Sequence, residues 1–214
     1  MAWGKIFRRS LIVVLIVVAG LSFANGIAYA DANEDIQKYT AQIEQNPKDA
    51  EAYKNRGNAY QDLGEHKLSI QDYDKAIKLN KGDVNLYMNR GLAYFRLKKY
   101  DKACVNFGKA IKLNPLYEEA YYLRGFSMYL FHEEDIKNNP NKRGYIYYVL
   151  GDVIVDFTKA VTLNPNNYHA YCNRGDAYQL LKEYEQAIQD YDKAIELNSE
   201  FVEAYNNRSI AYYE

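Results

Sequence analysis

The stretch AYKNRGNAYQDLGEHKLSIQDYDKAIKLN at 52–80 is restated by LYMNRGLAYFRLKKYDKACVNFGKAIKLN at 86–114. Tyr53 and Tyr87, Gly57 and Gly91, Tyr60 and Tyr94, and Ala76 and Ala110 each recur 34 residues apart. Self-similarity at this period predicts a solenoid of stacked helix pairs. In the first helix of each pair, Tyr53, Arg56, Gly57 and Tyr60 fall at i, i+3, i+4, i+7 and share a face. In the second, Ile70, Tyr73, Ala76 and Ile77, at i, i+3, i+6, i+7, likewise share a face. Gly57 and Ala76 are small where helices approach closely, and Gly64 makes the turn between them. Pro115 and Pro165 follow Asn114 and Asn164 and close their repeats, because proline cannot continue a helix. Helices this short depend on stacking for their burial.

The repeating residues resemble the tetratricopeptide repeat (TPR) family from Ala50 to Glu214. Four full units are read at 50–83, 84–117, 118–167 and 168–201, and 202–214 reads as the first helix of a fifth. Tyr171, Gly175, Tyr178 and Ala194 fill the aromatic, glycine, aromatic and alanine slots of the last full unit. The resemblance implies an all-α fold, a right-handed α-solenoid of stacked antiparallel helix pairs whose concave face is lined by the first helices. Residues 31–49 read as an N-terminal capping helix, with Tyr39 and Ile43 in the places of Tyr73 and Ile77 but Gln42 in place of the alanine.

Three departures from the family pattern stand out. The leucine usual before the glycine is an arginine throughout, at Arg56, Arg90, Arg124, Arg174 and Arg208. A buried guanidinium needs a partner, and Asp72, Asp156 and Asp190 recur at one slot of the second helix, with Asn106 in the remaining unit. An Arg–Asp ladder within repeats is therefore expected, structural in role. The third unit carries 16 extra residues near 129–148, read as two lengthened helices projecting about 12 Å beyond their neighbours, with Tyr145, Tyr147 and Tyr148 on the extension. In 202–214, Tyr205, Ile210 and Tyr212 resemble core positions rather than a polar outer face, which invites self-association.

Residues 1–30 have the three parts of a secretory signal peptide: basic Lys5, Arg8 and Arg9, an apolar run from Leu11 to about Phe23, and Ala28-Tyr29-Ala30 for cleavage before Asp31. The competing reading is an uncleaved membrane anchor. Either implies export, to a periplasm or the extracellular space, and a bacterial envelope as the setting. Cys104 and Cys172 lie a whole repeat apart, on different helices, and are expected to stay unpaired.

From Asp31 onward there are 24 basic and 28 acidic residues, a poor surface for nucleic acid. No catalytic constellation and no cofactor motif is found. His66 occupies the slot of Tyr100 and Tyr184 and reads as packing. His132 and Asp135 share a helical face, but two ligands make an incomplete metal site, so no metal is expected.

The informative surface is the other face of each first helix. It runs Lys54, Asn58, Gln61, then Met88, Leu92, Phe95, then Tyr122, Phe126, Tyr129, then Cys172, Asp176, Gln179. Its ends are polar and its middle apolar, which points to a protein-binding groove for a peptide or helix of a partner. Met88, Leu92, Phe95, Tyr122, Phe126 and Tyr129 would supply apolar contacts, with Lys54, Asn58 and Asn89 orienting the bound chain. Lys54, Asn58 and Asn89 also match the first places of the family's carboxylate clamp, but Glu119 and Leu123 stand in the last two, so a clamp is not expected. The reading is a non-enzymatic, exported scaffold assembling or regulating an envelope complex. The alternatives are a self-associating scaffold, a membrane-anchored assembly factor, and an enzyme with its chemistry in the insertion.

Overall fold

The structure, a computed structural model, describes residues 27–138 and 143–214. The described residues form ten helices stacked as adjacent antiparallel pairs, divided between two compact units. The N-terminal unit, through Pro115, holds α1 (Ile27–Gln45), α2 (Ala50–Asp62), α3 (His66–Leu79), α4 (Val84–Arg96) and α5 (Tyr100–Leu113). The C-terminal unit, from Leu116, holds α6 (Glu118–Asn138), α7 (Arg143–Leu163), α8 (Tyr168–Leu180), α9 (Tyr184–Leu197) and α10 (Val202–Tyr213). Most of the expected leader lies outside the described residues. Its last four residues, including the Ala28-Tyr29-Ala30 sequence, belong to α1. Among the described residues, no helix is long and apolar enough to cross a membrane.

Local chemistry sets the helix boundaries. Asp49 starts α2 by accepting hydrogen bonds from the Glu51 and Ala52 amides, both at 3.0 Å. Asp83 and Asn167 cap α4 and α8 in the same way, satisfying amides that the first turn leaves open. At the other end of the second helices, Asn80, Asn164 and Asn198 side chains accept from amides two residues on and turn the chain toward the next pair. Gly64 takes a left-handed conformation, φ +76°, in the turn between α2 and α3. Lys98 and Lys182 adopt it at the equivalent turns, φ 57° and 65°.

Within a pair, the ring of the second helix lies against the glycine of the first. A methyl group added at Gly57 would sit 2.8 Å from the Tyr73 ring, at Gly91 2.7 Å from Phe107, and at Gly175 2.8 Å from Tyr191. No side chain fits there without displacing the ring. Tyr73, Phe107, Phe157 and Tyr191 are accordingly fully buried, with Ala76, Ala110, Ala160 and Ala194 beside them.

The third pair is longer: α6 and α7 each have 21 residues, against 13 in α2, α4 and α8 and 14 in α3, α5 and α9. Among the described residues, the added length takes the form of extensions of these two helices. On this extension Tyr145 Oη is 2.7 Å from His132 Nδ1, and Tyr147 donates to the Leu181 carbonyl at 3.3 Å. Cys104 and Cys172 are not joined in a disulfide.

Candidate functional site

Two constructions recur along the first helices: an arginine fork on the face toward the second helix, and a ring-hydroxyl shell on the inner face. Arg56 donates from Nε and Nη2 to the two carboxylate oxygens of Asp72, each at 2.7 Å. Arg124 does the same with Asp156, at 2.8 and 2.6 Å, and Arg174 with Asp190, at 2.8 and 2.6 Å. The planar fork matches a carboxylate edge to edge. The stems pack beside tyrosines, with guanidinium carbons 5.5–5.8 Å from the Tyr53, Tyr121 and Tyr171 ring centroids. Burial still pushes the Asp156 and Asp190 carboxyls up from the usual range, and the arginine bonds only partly offset it.

In Arg56, Arg90, Arg174 and Arg208, Nη1 reaches back to the preceding helix, a partner that sequence spacing did not suggest. Arg56 finds the Thr40 hydroxyl and Arg174 that of Thr158, each at 3.1 Å. Arg90, whose own second helix offers only the Asn106 amide at 2.8 Å, finds the carboxylate of Asp74 at 2.5 Å. Arg208 finds that of Asp192. Each arginine therefore has a carboxylate at one slot or the other.

On the inner face of the N-terminal unit, the Tyr73 hydroxyl donates to Asn58 Oδ1 at 2.8 Å and lies 3.3 Å from Gln61 Oε1. Asn89 Nδ2 donates to the same Asn58 oxygen at 2.9 Å. The C-terminal unit repeats the design at equivalent positions. Tyr191 donates to Asp176 Oδ1 at 2.7 Å, with Gln179 Oε1 2.8 Å away, and Asn207 Nδ2 donates to Asp176 at 2.8 Å. Where the second-helix ring is phenylalanine, as in Phe107 and Phe157, the first-helix slots hold Leu92 and Phe95, or Phe126 and Tyr129. A buried hydroxyl requires partners and a bare ring does not. The polar-to-apolar change along the inner face thus follows the chemistry of the ring behind it.

This alters the reading of several predicted contacts. Met88, Tyr122, Phe126 and Tyr129 were expected to be exposed, and all four are buried. Tyr122 stacks on Phe126, packs on Phe157 with centroids 5.8 Å apart, and accepts a hydrogen bond from Asn173 at 3.0 Å. Burial raises the Tyr122 and Tyr129 hydroxyls well above the usual tyrosine range. In the N-terminal unit, Lys54, Asn58, Asn89, Leu92 and Phe95 keep partial exposure. Lys54 is held by Glu51 at 2.8 Å and Asp83 at 3.3 Å, and Phe95 meets Tyr100 edge-on at 5.4 Å. Sequence reasoning missed Asn173, Asp176 and Asn207 as a buried polar set; their recurrence with a tyrosine in the following helix was the available signal. Among the described residues, no group of three or more His, Cys, Asp or Glu side chains is placed to hold a metal.

Residues 50–83, 84–117 and 168–201 match the tetratricopeptide repeat family model. The elongated third pair, 118–167, lies between these matches. Among solved structures, a crystal structure of MamA superposes with TM-score 0.69 at 24% identity, covering 79% of this chain and 90% of that one. MamA from Desulfovibrio magneticus RS-1, residues 41 to the end, superposes at 0.68 with 18% identity, covering 88% and 95%. The first TPR of Spaghetti (RPAP3), solved with the HSP90 peptide SRMEEVD, superposes at 0.51 with 28% identity, covering 62% of this chain and 94% of that one. No curated protein matches the sequence. The three matched segments are similar to tetratricopeptide repeats, and the fold is the helix-pair stack of these structures.

Proposed function

We propose that this chain is a protein-interaction scaffold whose N-terminal unit takes a peptide or helical segment of a partner against the inner faces of α2 and α4. One observation carries the reading. Leu92 and Phe95 are the apolar inner-face residues of that unit left partly open, while Met88 is buried, and Lys54, Asn58 and Asn89 flank them with polar groups. Partly open apolar side chains beside fixed polar groups suit a partner segment with one or two large apolar anchors. The likeness to the RPAP3 domain, solved with a peptide, supports a peptide as the ligand class. An acidic C-terminus is not the favoured form, because Lys54 is already neutralised by Glu51 and Asp83. Buried Tyr122, Phe126 and Tyr129 support the C-terminal unit from within instead of lining the contact.

Export is part of the same proposal. The basic-apolar-small order of residues 1–30 supports a cleaved leader and a role in assembling or regulating an envelope complex. The amino-terminal sequence of the protein recovered from cells tests it: a start at Asp31 supports cleavage, and a start at Met1 refutes it.

The binding proposal is tested by affinity capture from envelope extract with the parent chain beside Leu92→Ala/Phe95→Ala. A partner kept by the parent and lost by the folded variant supports the site. Equal capture by both moves it elsewhere.

A further inference from the structure

The second helices of the N-terminal unit present a basic, partly apolar outer face. Residues 84–115 hold seven basic side chains and one acid, Asp101, whereas 168–201 hold three and seven. On α5, Lys102, Val105, Lys109 and Lys112 lie at i, i+3, i+7 and i+10 along one stripe, and all are exposed. The equivalent residues of α3, Leu68, Gln71, Lys75 and Lys78, are exposed as well. In α9 the last two places of the stripe are Lys193 and Glu196, an ion pair at 2.8 Å. In α3 and α5 a second lysine, Lys78 or Lys112, stands where α9 has that acid. Like charges one turn apart repel. Among the described residues, Lys75, Lys78, Lys109 and Lys112 enter no ion pair. Aliphatic side chains sit among these charges. Val105 is 65% exposed, and Leu79 and Leu113, each four residues past a lysine, are 43% and 45% exposed.

We propose that the outer face of α3 and α5 binds the surface of a bilayer rich in anionic lipid, a contact separate from the inner-face site. The uncompensated charge fixes the sign of the partner, and the residue types narrow its class. Where this chain grips a carboxylate between helices edge to edge it uses an arginine fork, as Arg56 does with Asp72. The outer stripe carries lysines instead, compact charges on flexible stems that address many headgroups without a fixed geometry. Lysine is also depleted at protein interfaces, which disfavours an acidic protein as the occupant. The exposed aliphatic residues gain nothing against a phosphate backbone, which disfavours nucleic acid. At a bilayer both kinds of side chain are used. Val105 and Leu113 enter the boundary between headgroups and acyl chains, and the neighbouring lysine stems reach back to the phosphates.

The test places an indole on the face of the full-length chain. Trp3 is the single tryptophan, so Trp3→Phe/Val105→Trp reports from the α5 stripe alone, whatever residues 1–30 do at a membrane. Phosphatidylglycerol vesicles are expected to shift its emission to the blue, and brominated acyl chains in them to quench it. Phosphatidylcholine vesicles should do neither. Adding Lys75→Gln/Lys78→Gln/Lys109→Gln/Lys112→Gln should raise the half-saturating lipid concentration at least about a hundredfold. The same number of charges removed elsewhere, by Lys38→Gln/Lys48→Gln/Lys159→Gln/Lys182→Gln, should raise it no more than about fivefold. No shift with anionic vesicles, an equal shift with neutral ones, or an equal loss in the two quadruple variants overturns the proposal. So does a shift with polyglutamate or duplex DNA and none with vesicles, since an acidic protein or nucleic acid would then hold the face. The substituted residues are exposed, so the variants are expected to fold, which circular dichroism checks.

Discussion

Asp190 shows how one residue reports the rule behind a whole ladder. Its neutral counterpart, Asn106, is tolerated because Asp74 supplies Arg90 with a carboxylate from the preceding second helix. Arg174 has only Thr158 at that slot. Asp190→Asn is therefore expected to destabilise the protein by about 1–3 kcal/mol, the cost of a buried charge losing its counter-ion. Thr158→Asp should restore most of the loss, which denaturant melts of the single and double variants measure. The same logic applies to the ring hydroxyls. Tyr191→Phe removes the donor to Asp176 and should cost about 1–3 kcal/mol, whereas Tyr191→Phe/Asp176→Leu/Asn207→Leu adopts the chemistry of the second pair and should recover part of it. His169 adds a pH dependence: its ring lies 4.0 Å from Tyr168 and 5.3 Å from Phe201, and burial lowers its pKa to about 4 from 6.5. The unfolded chain therefore takes up the proton first. This contribution is fully present above about pH 6.5 and is lost as pH falls toward 4, by about 3 kcal/mol. His169→Phe should flatten the difference between melting at pH 7 and pH 4.5 relative to the parent.

At the scale of elements, the helix pairs and their order were written in the 34-residue period, the Asp and Asn starts and the Asn-Pro stops. The lengthening of α6 and α7 was legible because the helical pattern continues on both sides of Asn138. What the sequence did not disclose was which first-helix faces remain open. Leu92 and Phe126 occupy equivalent positions and carry similar apolar chemistry, yet Leu92 is partly open and Phe126 fully buried. Exposure there depends on tertiary packing, which no periodicity records. The upstream partner of Arg56, Arg90, Arg174 and Arg208 was hidden for a related reason: it lies 16 residues earlier, on the helix preceding the arginine's own. The turns contain one local strain. Lys98 and Lys182 hold the left-handed conformation that Gly64 takes at the first turn. Lys98→Gly and Lys182→Gly are each expected to stabilise by about 0.5–1 kcal/mol, seen as a rise in melting temperature. If neither melting temperature rises, the lysines are making compensating contacts.

For the whole molecule, the arginine forks and hydroxyl shells of the tetratricopeptide-like helix pairs hold first helices to second helices. The C-terminal unit buries its inner face, and the N-terminal one leaves Leu92 and Phe95 partly exposed. The apolar middle that suggested a single groove thus separates into buried residues and partly exposed residues once burial is known. The most direct test of this division is calorimetric titration of the captured partner segment into three full-length proteins: the parent, Leu92→Ala/Phe95→Ala, and Tyr191→Phe. The account predicts at least about a tenfold loss of affinity for the double variant, and unchanged affinity for Tyr191→Phe despite its lower melting temperature. Unchanged affinity in the double variant would contradict it.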